Sequence, residues 1–264
     1  MASKTTGQPK SKRKATVTAR STSGPGFDFE DRVAASMLLA ILRDLPLPGV
    51  GAVSGRRLQT QVGSLKWKLD DILITGTDSS GTRCLSISCK SNVQVSAAGL
   101  PTDFLLAAWS QWSAGTPMNP LVDAMMLATR GSHPGFTAIW ADIKNWAGGD
   151  TQLAVARITG TAKHRRIFNA IKVAGLAANA MLSDVDVLRF VQAVVVRPYD
   201  FQLADSKDET QAISQCREIL DPTQAGRAAD LWKALVKTCD EARVGHGTVE
   251  LADLWIRLRQ EFCL

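Results

Sequence analysis

Apolar residues recur at helical spacing in the stretch FDFEDRVAASMLLAILRDL, residues 27–45. Phe29, Val33, Met37, Ala40 and Ile41 share one face, and Leu38 and Leu42 widen the stripe. This pattern predicts a helix that starts near Asp28 and stops before Pro46. PLPGVGAVSGRR then reads as a loop, and RLQTQV as a short strand. Residues 71–76 and 83–90 read as two strands joined by the turn-rich TDSSGT. TDFLLAAWSQWSAG (102–115) reads as a helix with Thr102 as its N-cap, and DAMMLATRG (123–131) as a buried strand. Beyond that, helical spacing predominates over 136–147, 160–181, 207–220, 223–243 and 248–263, interrupted by one strand at 190–199. No internal repeat is visible.

Helix, hairpin, helix and strand in that order predict an α/β core over residues 25–150, followed by a mostly helical part over 151–264. In the last helix Leu251, Leu254, Trp255, Leu258 and Phe262 form a stripe that runs to the final residues EFCL with no glycine cap. From that ending the natural chain is expected to continue.

Composition adds limits. A chain of 264 residues with 45% hydrophobic and 21% charged residues is an ordinary globular mixture. No apolar run approaches the roughly 20 residues of a membrane span, and no signal-peptide core opens the chain. Five cysteines without metal-site or disulfide spacing point to a reducing cytoplasm. The net charge of +6 is local: Lys4, Lys10, Lys12, Arg13, Lys14 and Arg20 lie in an acid-free opening arm. That arm, residues 1–24, is expected to be disordered and could hold phosphates without sequence preference, or merely keep the chain soluble.

The candidate chemistry sits on the hairpin. Strand alternation places Asp71 with Leu73 and Thr75, and Ser86 with Ser88 and Lys90. Pairing the two strands brings Asp71 to the end of the sheet where Lys90 lies. A cross-strand ion pair is the plain explanation and contributes little if exposed. Glu30 argues for more than that, because it sits in the first turn of the opening helix among residues that face the core. Two carboxylates at one rim suit a hard divalent cation such as Mg²⁺, and a lysine beside them can orient water or neutralise developing charge.

These residues carry a resemblance. FE on the opening helix, DDILI on one strand and ISCK ending the next are similar to the PD-(D/E)xK nuclease superfamily. The resemblance implies a restriction-endonuclease-like mixed sheet and a metal-dependent DNA endonuclease. It implies Glu30 as the helical acid, Asp71 as the strand acid with Asp70 second to it, and Lys90 as the catalytic lysine. Where that superfamily usually has Glu or Gln two residues before the lysine, this chain has Ser88. A hydroxyl is a weaker ligand, so Ser88 takes a supporting role. The expected metal is Mg²⁺, with Mn²⁺ as a substitute, and the expected substrate is double-stranded DNA.

A narrower similarity covers most of the chain. GFDFEDRVAASMLLAIL, WKLDDILI, ISCKSN and the closing HGTVELADLWIRLRQEF resemble the nuclease module of bacterial antiviral proteins. These are the CD-NTase-associated DNA endonucleases and the effector domains of Avs-type STAND NTPases. The resemblance implies activity as a homo-oligomer, since an unrestrained nuclease would harm its own cell. No P-loop GxxxxGK[ST] occurs in the sequence.

Around this site Arg56, Arg57, Lys66 and Lys68 are candidate phosphate contacts, as is KHRRIF at 163–168. Trp109 and Trp112 are either base-stacking or core residues. Two rivals remain: a nuclease fold that binds DNA or partners without cutting, and a hydrolase using Cys89 as nucleophile, which alternation points away from Lys90.

Overall fold

The computed structural model describes residues 25–264 except 80, 180, 204, 246 and 263. The expected disordered arm, His246 and Cys263 therefore lie outside the described residues. The opening stripe forms α1 (Pro25–Leu42), which leads into β1 (Gly55–Thr60), a 3-10 turn (Val62–Leu65), β2 (Ile72–Asp78) and β3 (Gly81–Val95). Then come α2 (Thr102–Ala114), β4 (Ala124–Ser132), α3 (Pro134–Ala147), α4 (Thr151–Gly160), α5 (Ala162–Ala178), α6 (Asp184–Ala193) and β5 (Val194–Pro198). The chain closes with α7 (Lys207–Ile219), α8 (Ala228–Val244), β6 (Thr248–Glu250) and α9 (Leu251–Phe262).

The six strands form one mixed sheet in the order β5-β4-β3-β2-β1-β6. β6, β1, β2 and β3 pair antiparallel, whereas β3, β4 and β5 run parallel. The expected α/β class with flanking helices and a helical C-terminal part is what the chain adopts. Residues 151–264 also supply both edge strands.

The alternation of β2 and β3 sends their apolar residues to opposite faces. Ile72, Ile74, Leu85 and Ile87 meet α1, α7, α8 and α9 on one side. Leu73, Met125 and Leu127 meet α2 through α6 on the other. α1 lies deep in the first layer, because Ala34, Ala35 and Leu39 are buried along with the predicted stripe. A helix apolar on nearly all sides can only sit between other elements. The α9 residues Leu254, Leu258 and Phe262 are buried in that same layer.

In the second layer the Trp109 ring stacks on Phe190 at 3.8 Å and 7° and donates from Nε1 to the Ile171 carbonyl at 2.9 Å. A Cβ added to Gly175 would fall 2.7 Å from that ring, so glycine is what lets α5 approach α2. Thr102 does not cap α2 as predicted. The cap position falls on Pro101, and the helix starts at Thr102 itself, with the Leu105 amide donating to the Pro101 carbonyl.

Candidate active site

The site lies where β3 and its parallel neighbours β4 and β5 end at their carboxyl termini, a place where open α/β sheets commonly bind ligands. The hairpin register, Ile72 against Ile87, sets Asp71 abreast of Ser88. Strand alternation alone predicts Lys90 at that level. β3 also does not close on Lys90; it runs on to Val95, and the ladder to β4 slips between Lys90 and Gln94. A bulge of this kind re-aims side chains next to functional sites.

Asp71 is the centre of the arrangement. Its Oδ2 accepts from the Cys89 amide at 2.7 Å, and the Ser88 hydroxyl bonds to it as well. Lys90, one residue beyond Cys89, lowers the Asp71 pKa through its charge, and its Nζ also stands 3.4 Å from Asp103 Oδ2 on α2. From the α1 side comes Glu30, only 6% exposed. Its Oε1 accepts from Gln61 Nε2 at 3.0 Å. Glu30 and Lys90 thus approach Asp71 from opposite faces of the sheet end.

The charges conflict with their surroundings. Burial raises the Glu30 pKa first and the nearby Asp71 charge second, taking it from the ordinary 4.5 to about 8. Burial also raises Asp71, and the charge of Asp70 adds to it. Both carboxyls sit in a place that disfavours their ionised forms, and a divalent cation would reverse that preference. Asp31, the neighbour of Glu30, is compensated from within the chain: Arg243 donates to its two oxygens at 2.8 and 3.2 Å.

A pH dependence follows. The folded chain keeps the Glu30 proton after the unfolded chain has lost it, so between pH 4.5 and about 8 the folded state binds more protons. Stability is then expected to fall as pH rises through that window, by roughly 3–5 kcal/mol from this group alone in the absence of metal. Glu30→Gln should flatten the fall, as read from urea midpoints at pH 5 and pH 9.

The other predicted residues divide. Asp70 is exposed and its Oδ2 lies over Gly63 of the 3-10 turn, 2.9 Å from where a Cβ would stand, so it acts on Asp71 through its charge alone. Lys66 and Lys68 are exposed on the stretch between that turn and Asp70, at the site end of the sheet. Arg56 and Arg57 are not at that end. They begin β1, where Gly55 pairs Gly76, about 13 Å along the strand from Gln61. There Arg57 binds Glu250 at 2.5 Å and Arg56 faces Asp44 at 3.6 Å, so neither flanks the acids as predicted. In the KHRRIF cluster, His164 meets Asp142 at 3.1 Å and Arg166 donates to the Ala97 carbonyl.

Among the described residues no three His, Cys, Asp or Glu side chains come together as a metal cage. Glu30, Asp71 and the Ser88 hydroxyl fit the sparser mode of Mg²⁺, which is held by one or two carboxylates and keeps several waters or substrate oxygens. Cys89 is not fit to be a nucleophile: burial and the charges of Asp71 and Glu30 push its thiol pKa well above normal. Gln61, Asp103 and Arg243 carry no signal in the sequence pattern, since each reaches the site or its neighbours only through tertiary contact.

No family model and no curated protein matches the sequence. Solved structures do match in shape. The Moraxella osloensis Cap4 SAVED/CARF-domain containing receptor aligns with a TM-score of 0.50 at 9% identity, over 90% of this chain and 49% of that one. The Acinetobacter baumannii receptor of the same description gives 0.49 at 11% identity, over 90% and 48%. The Acinetobacter receptor with the cyclic trinucleotide 3'3'3'-cAAA gives 0.48 at 12% identity, over 90% and 48%. The chain spans about half the length of these structures, and the likeness is one of fold. No helix among the described residues is long and apolar enough to cross a membrane.

Proposed function

We propose that this chain is a divalent-metal-dependent DNA endonuclease module of a bacterial antiviral defence protein, active as a homo-oligomer. The observation that carries the reading is the meeting at Asp71: a buried Glu30 on one side and Lys90 on the other, at the open end of a mixed sheet. Glu30 and Asp71 would hold Mg²⁺ or Mn²⁺, which supplies Lewis-acid stabilisation of charge on the phosphodiester and acidifies water. Ser88 and the Cys89 amide keep the Asp71 carboxylate in place. Lys90, released from exposed Asp103, orients the attacking water or neutralises the phosphate as the bond breaks. Lys66 and Lys68, exposed at the site end of the sheet, would contact the phosphates of a DNA backbone entering there. The fold likeness to Cap4 receptors agrees with a defence setting, as does the sequence resemblance to CD-NTase-associated endonucleases.

The test is plasmid nicking with Mg²⁺. Wild type should nick, and Lys90→Ala should lose about 10²–10⁴-fold. Its melting temperature should stay within a few degrees, since the pair with Asp103 is exposed and worth at most about 1 kcal/mol. Equal nicking by the two proteins would remove Lys90 from the mechanism.

Ser88 in place of an acid, and the lack of a three-acid cage among the described residues, favour a second reading: a fold that binds DNA or partners without cutting. DNA binding without metal-dependent nicking would select it.

A further inference from the structure

We propose that Gln61 is a positioning residue of the cation site, one that joins the two acid-bearing segments through its side chain and its backbone at once. The inference rests on the nuclease reading above. Gln61 follows β1 directly and caps the 3-10 turn with φ 54° and ψ 50°, the left-handed region. The residue types that visit that region readily are Gly, Asn and Asp, not Gln. Lys66, at the other end of the same turn, is also left-handed at φ 70°. Of three non-glycine residues with positive φ among those described, two therefore bracket a single four-residue turn beside the acids. Strained backbone of this kind persists where surrounding contacts fix it, and it gathers at functional sites.

The contacts that fix it are specific. The Gln61 amide donates to the Asp71 carbonyl at 3.0 Å, and the next amide, Val62, donates to the Asp70 carbonyl at 2.8 Å. The left-handed turn swings the side chain toward α1, where Nε2 reaches Glu30 Oε1 at 3.0 Å. A glycine would suit the backbone better but could not reach Glu30. A neutral amide is also the suitable donor chemically. It orients a carboxylate without bringing a positive charge that would compete with the cation.

The experiment compares wild type, Gln61→Gly and Gln61→Leu as full chains, by melting without metal, by Mn²⁺ titration calorimetry and by nicking. Gln61→Gly should melt at or above wild type, since the turn is relieved, yet bind Mn²⁺ roughly 10- to 100-fold more weakly. Gln61→Leu should lose the same affinity and melt below Gln61→Gly. In both, kcat for nicking should fall with little change in KM for DNA. Wild-type Mn²⁺ affinity in both variants would overturn the inference. So would a Gln61→Gly protein that melts well below wild type, which would make the residue a structural tie. If wild type itself takes up no Mn²⁺, the nuclease reading fails first and the inference with it, and that failure is visible in the unmodified chain.

Discussion

Asp71→Asn is expected to lower Mg²⁺-dependent nicking by about 10²–10⁴-fold while leaving the metal-free protein at least as stable as wild type. The two halves of this expectation come from one arrangement. Asp71 carries a charge in a half-buried place and raises the pKa of the buried Glu30 beside it. Removing that charge relieves the folded state. The asparagine oxygen can still accept from the Cys89 amide, so the strand end stays anchored. The same change removes half of the carboxylate pair that would hold the cation. A purely structural Asp71 would behave in the opposite way: its loss would lower the melting temperature and leave nicking per folded molecule untouched. Plasmid assays and thermal melts on one preparation separate these outcomes.

Trp109→Ala is expected to cost roughly 3–5 kcal/mol of stability, the range for emptying a buried aromatic site. The ring is fully buried, stacks on Phe190, meets Trp112 edge-on at 5.3 Å and spends its N–H on the Ile171 carbonyl. Three helices of the second layer, α2, α5 and α6, converge there, since Gly175 of α5 packs on the ring and Leu182 from the α5–α6 connection follows close behind. Base stacking needs an open ring face, and this residue has none. Urea unfolding should show the loss in its midpoint, whereas DNA affinity per folded molecule should not change. A shift under 1 kcal/mol would mean that the second layer is much looser than its contacts indicate.

Much of the fold was legible because its strongest elements are periodic. The stripe of residues 27–42 gave α1, and with it the oddity of Glu30 among apolar neighbours. Alternation gave the hairpin and the separation of Lys90 from Cys89. The misses have physical causes. FVQAVVV is rich in β-branched residues and reads as strand, yet most of it belongs to α6. There the Ser183–Asp186 capping box starts a helix that runs to Ala193, leaving only five residues for β5. α4 is absent from the predicted elements although Asp150 caps it, accepting from the Leu153 amide at 2.9 Å. β6 is three residues long, too short for any pattern to show.

In the site, the acids and the lysine were legible as residue types, but their register was not. Which residue stands abreast of Asp71 depends on how the hairpin pairs, and that put Ser88 there instead of Lys90. The arginines of β1 were placed by closeness in sequence, whereas an extended strand carries them to the other end of the sheet. Gln61 could not have been found at all. Its role depends on a left-handed turn and on a partner 31 residues earlier in the chain.

Cleavage by this site requires Glu30 and Asp71 to hold one divalent cation together. Titration calorimetry with Mn²⁺ at pH 8 tests this most directly. Wild type should take up metal, Asp71→Asn should take up none at the same concentrations, and Glu30→Gln should bind far more weakly. Uptake that is absent from wild type, or that survives unchanged in Asp71→Asn, would contradict it.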